Sequence, residues 1–206
     1  MARKALILDL DNTIYPVAPY AGEMFATFMQ LVTDSGEQQD NIEGIRKDIM
    51  RRGFLIVAAT YNFSKQLKQK GNDLFKELTY AGQLEPYEDF RLVRDLPHEK
   101  FLVTAGYQKF QQSKIALLKL EKYFKEIHIV DVTTTSLTKK DVFAGIIDRY
   151  RYNLSEVLVI GDDLESEISA GNDLGIDTVV YDKAGFNSGR SVSSLITDYR
   201  GLNDFL

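Results

Sequence analysis

The chain contains no cysteine. Disulfides and thiolate chemistry are therefore excluded, and secretion gains no support from composition. Only two histidines are present, His98 and His128. So few argue against a histidine-rich zinc site and against a phosphatase that uses histidine as its nucleophile. No apolar run approaches the ~18 residues that a membrane span requires. The run that follows Met1-Ala2-Arg3-Lys4 is too short for the core of a signal peptide and ends in acids. Together these features predict a cytoplasmic protein without a membrane partner. Nor is there a large excess of either charge: 25 Lys and Arg stand against 30 Asp and Glu, a net charge of −5. Such a surface has no general attraction for a nucleic acid polymer, so an anionic substrate would need a local cation, which a bound metal could supply.

What is present is ordinary for a globular protein: 206 residues, 44% of them hydrophobic and 27% charged. That length can bury a real core and allows one domain or two small ones. The most informative stretch lies near the N-terminus. Ala5 to Leu8 is a continuous apolar run of the kind found in strands buried on both faces, and it leads into Asp9-Leu10-Asp11-Asn12-Thr13. Desolvating a carboxylate costs several kcal/mol unless it is paired or bound to metal, so two acids at the end of a buried strand require a purpose.

Residues 9–16 leave the strand as a loop, and Pro16 and Pro19 mark a change of direction. From there to about Gln83 the pattern is helical. Ala21, Phe25, Phe28, Met29 and Val32 predict one amphipathic helix ending near Gly36. Ile42, Ile45, Ile49 and Met50 predict a second, stopped near Gly53. Residues 54–62 and 72–80 read as two further helical pieces, with a break at Gly71-Asn72. The Phe and Met stripes read as helix-bundle core. After about Glu85, strand-like and helical patterns alternate: Phe101–Thr104, Ile127–Val130, Val157–Ile160 and Thr178–Tyr181 are strands, each followed by a helical or turn segment. Leu195–Thr197 reads as a last edge strand before a short C-terminal helix. This alternation predicts an α/β fold, a doubly wound parallel sheet with helices on both faces. Its α/β core would comprise residues 1–16 and 84–206, and residues 17–83 would form a helical cap inserted after the first strand.

In open parallel sheets the ligand lies off the carboxyl ends of the strands. Four segments place polar groups there: Asp9 and Asp11, Thr104, the pair Lys139-Lys140, and Asp162-Asp163. Each is unremarkable alone. Together they suit phosphoryl transfer. A carboxylate can attack phosphorus, magnesium favours carboxylate and carbonyl oxygens, and a threonine hydroxyl with a lysine ammonium can hold the remaining oxygens. Thr138 with Asp141 forms a variant capping box that makes Lys139 the first helical residue. Positions 142, 143, 146 and 147 are apolar, which sets Lys139 above the buried face; Lys140, nearer its margin, is the alternative. Asp163 can cap the helix after Asp162, and Glu167, one turn on, can reach back to the site.

The ordered set Asp-Leu-Asp-Asn-Thr, Thr104, Lys139 or Lys140, and Gly-Asp-Asp-(x)3-Glu resembles the haloacid dehalogenase-like (HAD) hydrolase superfamily, and residues 17–83 have the position and character of its C1 cap. The resemblance implies an HAD-like Rossmannoid core and a Mg²⁺ cofactor. Asp9 would be the nucleophile, and Asp11 the acid and then the base. Thr104 and the lysine would bind the phosphoryl group. Asp9 and Asp162 would ligate the metal through their side chains and Asp11 through its carbonyl, supported by Asp163 and Glu167. Asn12, Thr13, Thr104, Ala105 and Gly106 would border the substrate. An acid at position 11 points to a phosphatase or phosphotransferase rather than a dehalogenase.

Two residues depart from the family pattern: Ala105, where Asn or Ser is frequent, and Glu167, where Asp is commoner. The sequence Asp-Leu-Asp-Asn-Thr-Ile-Tyr-Pro resembles the nucleotidase-like branch and points to a small phosphorylated substrate such as a nucleoside monophosphate. Tyr15, Phe25, Tyr61 and Tyr80 are candidates to face it from the cap. The competing readings are a phosphotransferase or phosphomutase of the same fold, a non-catalytic HAD-like protein, and a receiver-like signalling domain.

Overall fold

The structure, a computed structural model, describes residues 3–206. Met1 and Ala2, at the start of the expected core segment, lie outside the described residues. Six parallel strands form one sheet: β1 (Ala5–Leu8), β2 (Glu99–Ala105), β3 (Glu126–Val130), β4 (Val157–Gly161), β5 (Asp177–Tyr181) and β6 (Leu195–Ile196). Their order is β3-β2-β1-β4-β5-β6. The chain winds outward from β1 through β2 to β3, then returns to β4 on the other side of β1. The switch point therefore lies between β1 and β4, where such sheets bind ligands. Leu8 registers with Leu102 on one side and Ile160 on the other, so β1 and β4 end within a residue of each other while β2 runs on to Ala105.

The strands are buried on both faces, and alternate side chains feed two cores. Leu6, Leu8, Leu102, Leu158 and Ile160 point to one face, against α7 (Gln108–Leu117) and the C-terminal 3-10 turns Tyr199–Phe205. Ala5, Ile7, Phe101, Val103, Val157 and Val159 point to the other, against α8 (Lys139–Tyr150) and α9 (Ser169–Leu174). No helix among the described residues is long and apolar enough to cross a membrane.

Between β1 and β2 the chain is helical, as its periodicity predicts. The first expected helix is interrupted at Phe25 into α1 (Ala21–Met24) and α2 (Ala26–Ser35). They are followed by α3 (Ile42–Ile49), α4 (Phe54–Thr60) and α5 (Lys65–Glu77), and the short α6 (Phe90–Arg94) leads to β2. The expected break at Gly71-Asn72 is a misreading: α5 runs straight through it. A Cβ on Gly71 would fall 2.4 Å from the Phe54 ring, so glycine serves a close approach between helices. Phe54 and Phe75 stack at 5.1 Å between centroids, and Phe28 meets Phe54 edge-on at 5.7 Å. This cluster extends into the α/β core: Phe75 stacks on Tyr107 at 5.4 Å and Phe25 meets Phe110 at 5.9 Å. Most of the aromatic stripe is packing, as its periodicity indicates.

Candidate active site

A cavity of about 250 Å³ opens between the helical segment and the carboxyl ends of the strands. Asp9, Asp11, Thr104, Lys139, Asp162 and Glu167 all line it. Asp9 leaves β1 beside β4, its amide donating to the Ile160 carbonyl at 3.0 Å. Lys139 is the first residue of α8, and the capping box of Thr138 and Asp141 is present in full. It is 8% exposed, and its ammonium donates to Asp9 Oδ1 at 2.6 Å and to Glu167 Oε2 at 2.7 Å. A buried cation at a helix N-terminus opposes the helix dipole, and these two carboxylates compensate it. Burial pulls Lys139 towards neutrality, but Asp9 and Glu167 outweigh it and raise its pKa.

Carboxylate oxygens of Asp9, Asp162 and Glu167 lie within 4.8 Å of one another, all three residues buried. Burial pushes Asp9 up to about 7 against the pull of Lys139. Burial, with Glu167 and Asp9 beside it, raises Asp162 well above the carboxylate range. Asp162 Oδ2 is buried and has no hydrogen-bond partner among the described residues. An orphaned carboxylate oxygen among hard oxygen donors is the chemistry that a magnesium ion satisfies. Glu167 has both oxygens engaged, Oε2 by Lys139 and Oε1 by the Asp163 amide at 2.8 Å. That arrangement orients the lysine and the loop and leaves Asp9 and Asp162 as the side chains available to a cation. Glu167 sits on a π-helical turn, Leu164–Ile168, a local distortion frequent at functional sites. Its approach requires Gly161, where a Cβ would fall 2.2 Å from Oε1.

The rest of the expected set divides. Thr104, 1% exposed, accepts from Gln111 Nε2 at 2.6 Å, which frees its own hydroxyl hydrogen to donate into the cavity. Ala105 and Gly106 line the cavity, as does Asp163, whose side chain caps the next turn by accepting from the Glu165 amide at 2.9 Å. Lys140, the alternative lysine, is corrected: it is exposed and pairs with Asp173 at 3.3 Å, away from the site. Asn12 and Thr13 are not among the residues that line the cavity. Asn12 ties loops together, donating to the Met50 carbonyl and accepting from the Val17 amide, each at 3.2 Å. Thr13 is buried, and its carbonyl accepts from Tyr199. Of the cap candidates, Phe25 lines the cavity and Tyr15 donates to Asp11. Tyr61 and Tyr80 instead bond Asp48 and Glu23, within residues 17–83.

Three functional candidates escaped sequence reasoning. Lys114 and Gln111 rise from α7, i and i+3 on one face. Lys114, 2% exposed, donates to both oxygens of Asp11 at 2.6 and 2.7 Å, and Gln111 adds a bond to Oδ2 at 3.0 Å. Burial alone would raise Asp11, but Lys114, Tyr15 and Gln111 overcome it and hold the carboxyl below its ordinary range. Arg51, between α3 and α4, reaches down to Asn187 Oδ1 at 3.0 Å and lies 3.8 Å from Asp162 Oδ2. The available signal was a Gln-x-x-Lys pair on the first helix after a strand exit.

A family model for haloacid dehalogenase-like hydrolases matches residues 3–175. The chain therefore belongs to that family of hydrolases. It is 23% identical over 196 residues to the glyceraldehyde 3-phosphate phosphatase of Methanopyrus kandleri, covering 85% of this chain and 82% of the relative. Among solved structures, a Clostridium difficile protein assigned as a phosphatase aligns with a TM-score of 0.73 at 16% identity, over 100% of this chain and 99% of the other. A Bacillus subtilis protein assigned as a HAD-hydrolase, YfnB, solved with magnesium bound, aligns at 0.60 with 18% identity, over 100% and 99%. At these identities the structural likeness speaks for the fold.

Proposed function

We propose that this protein is a magnesium-dependent phosphomonoester hydrolase that acts on a small phosphorylated metabolite through an aspartyl-phosphate at Asp9. The observation that carries the proposal is the buried Asp9, fixed through Oδ1 by Lys139 and opposed by the unpartnered Asp162 Oδ2 on the cavity floor. Asp9 and Asp162, with the carbonyl of Asp11, are the groups that would hold Mg²⁺. When bound, the ion supplies the positive charge that keeps Asp9 ionised and shares the charge of the phosphoryl oxygens.

The residues of the chain divide the remaining work. Asp9 attacks phosphorus as the ester P–O bond breaks, and Thr104 and Lys139 hold phosphoryl oxygens in place. Asp11 protonates the departing oxygen. At rest its carboxyl is held ionised by Lys114, and the arriving phosphate dianion, a like charge, raises its affinity for the proton it must carry. The carboxylate so regenerated then takes a proton from the water that cleaves the aspartyl-phosphate. Resemblance alone offers two candidate substrates, a nucleoside monophosphate from the Asp-Leu-Asp-Asn-Thr-Ile-Tyr-Pro stretch and a triose phosphate from the name of the Methanopyrus relative; neither rests on the lining of the cavity, which favours a more apolar leaving group.

Hydrolysis of p-nitrophenyl phosphate with Mg²⁺ tests the reading. Wild type should turn it over, and Asp9→Asn should abolish turnover while leaving the fold intact by circular dichroism. A fully active Asp9→Asn variant would remove Asp9 as nucleophile. No turnover by wild type would favour a receiver-like or idle protein, and transfer of the phosphoryl group to added sugar in preference to water would favour a phosphotransferase.

A further inference from the structure

The cavity has two chemically different ends. Its core side is polar: the charged floor of Asp9, Asp11, Lys139 and Asp162, with Asp131, Asp163 and Ser166 also contributed by the α/β core. Its cap-derived wall is apolar: of the residues that segment contributes, only Arg51 and Arg52 are polar, beside side chains such as Phe25, Met50, Leu55 and Phe75. Neither arginine is turned to the wall: Arg51 reaches the floor, 3.8 Å from Asp162 Oδ2, and both have partners. Arg51 bonds Asn187 and stacks 5.3 Å from the centroid of Phe186, and Arg52 lies 3.7 Å from Glu165 and 3.8 Å from Asp48. Tyr107, on the core side, gives its hydroxyl to Asn72 at 2.8 Å. At the mouth stand Ile56 and Val132, which are 52% and 59% exposed although large and apolar. Their exposure continues the apolar wall outward to solvent.

A phosphate anchored on the floor places its leaving group against this wall. From the wall we infer that the preferred substrate is a phosphomonoester with a compact apolar leaving group, a short alkyl chain or a single aromatic ring, rather than a polyol, sugar or ribonucleoside. The inference rests on the phosphatase reading and narrows its substrate class. A hydroxyl placed among these side chains leaves water and finds no partner, whereas a methylene or ring face loses nothing there. Gly53 also lines the chamber, and a Cβ built on it meets no atom within 4 Å, so bulk added there enters free space.

The test compares n-propyl phosphate with glycerol 1-phosphate, which share a three-carbon skeleton and differ by two hydroxyls. Benzyl phosphate, ribose 5-phosphate and uridine monophosphate complete the panel, and p-nitrophenyl phosphate reports basal activity. For the wild-type enzyme with Mg²⁺, kcat/KM for propyl phosphate should exceed that for glycerol phosphate by about tenfold or more, with benzyl phosphate higher still. Equal or better turnover of glycerol phosphate, ribose phosphate or the nucleotide overturns the inference while leaving the phosphatase reading intact. Binding of the non-hydrolysable benzylphosphonate and 2,3-dihydroxypropylphosphonate, followed by calorimetry, separates the two claims. Tenfold tighter binding of benzylphosphonate with no hydrolysis of any ester supports the chamber and removes the phosphatase. Gly53→Leu should lower the benzyl-to-propyl ratio about tenfold by filling the chamber. An unchanged ratio in a folded variant places the leaving group elsewhere and overturns the inference.

Discussion

Lys114→Met removes the charge beside Asp11 while keeping side-chain length and apolar volume. Lys114 is almost wholly buried, 4.5 Å from the centroid of Phe110, and among the described residues its one ion-pair partner is the Asp11 carboxylate. Removing one partner of a buried pair costs ~3–5 kcal/mol where the remaining charge is fully desolvated. Two features lower that figure. The Asp11 side chain is 28% exposed and keeps its bonds from Tyr15 and Gln111. Burial also pulls Lys114 below its ordinary pKa although Asp11 opposes it, so the lysine bears a desolvation cost that methionine does not. We expect a loss of about 2 kcal/mol at pH 7. The loss should depend on pH. In the wild type the folded pKa of Asp11 is depressed, so its contribution is present above the unfolded value near 3.8 and disappears as pH falls through the folded value. In the variant, burial without Lys114 raises the folded pKa, so the penalty acts at neutral pH and vanishes once acid protonates Asp11. Wild type and variant should therefore converge in stability as pH falls from 7 towards 3. Urea unfolding in EDTA at pH 7, 5 and 4 measures this. A loss independent of pH, or one below about 0.5 kcal/mol at pH 7, would refute the clamp, since surface substitutions alone reach that size.

Gly161→Ala should drive Glu167 away from Lys139, lowering kcat for p-nitrophenyl phosphate at least about tenfold and stability by about 1–3 kcal/mol; wild-type kinetics would show that Glu167 has room to move. Mg²⁺ at about a hundred times its dissociation constant should raise the melting temperature by about 5–10 °C. Asp162→Asn should abolish that rise in a thermal melt, and its persistence would place the ion elsewhere. Deletion of residues 18–82 behind a short linker should leave a folded core of reduced solubility, because Phe110 and Tyr107 lose Phe25 and Phe75. Loss of cooperative unfolding in that product would make the helices integral to the core.

The family, the sheet and the charged floor were legible in the sequence because they depend on local pattern. Four-residue apolar runs ending in acids define strands and strand exits, and the helical period at 142–147 together with the Thr138 cap places Lys139 over the buried face. Tertiary structure decided what depends on approach between distant segments. Lys140 is a neighbour in sequence, yet one residue of helix turns it about 100° away to Asp173. Gly71 looked like a break because sequence does not show the Phe54 ring it admits. Asn12 resembles a substrate contact until Met50 and Val17 are brought to its two ends. Above all, the separation of Asp9 from Asp11 is tertiary. The pair are two residues apart, but burial, with Glu167 beside it, raises one, while a lysine over a hundred residues away lowers the other. The sequence alone determined that two acids stand at this strand exit. Only folding decided which carries a raised pKa and which is held ionised, because charge interactions depend on distance in space and not along the chain.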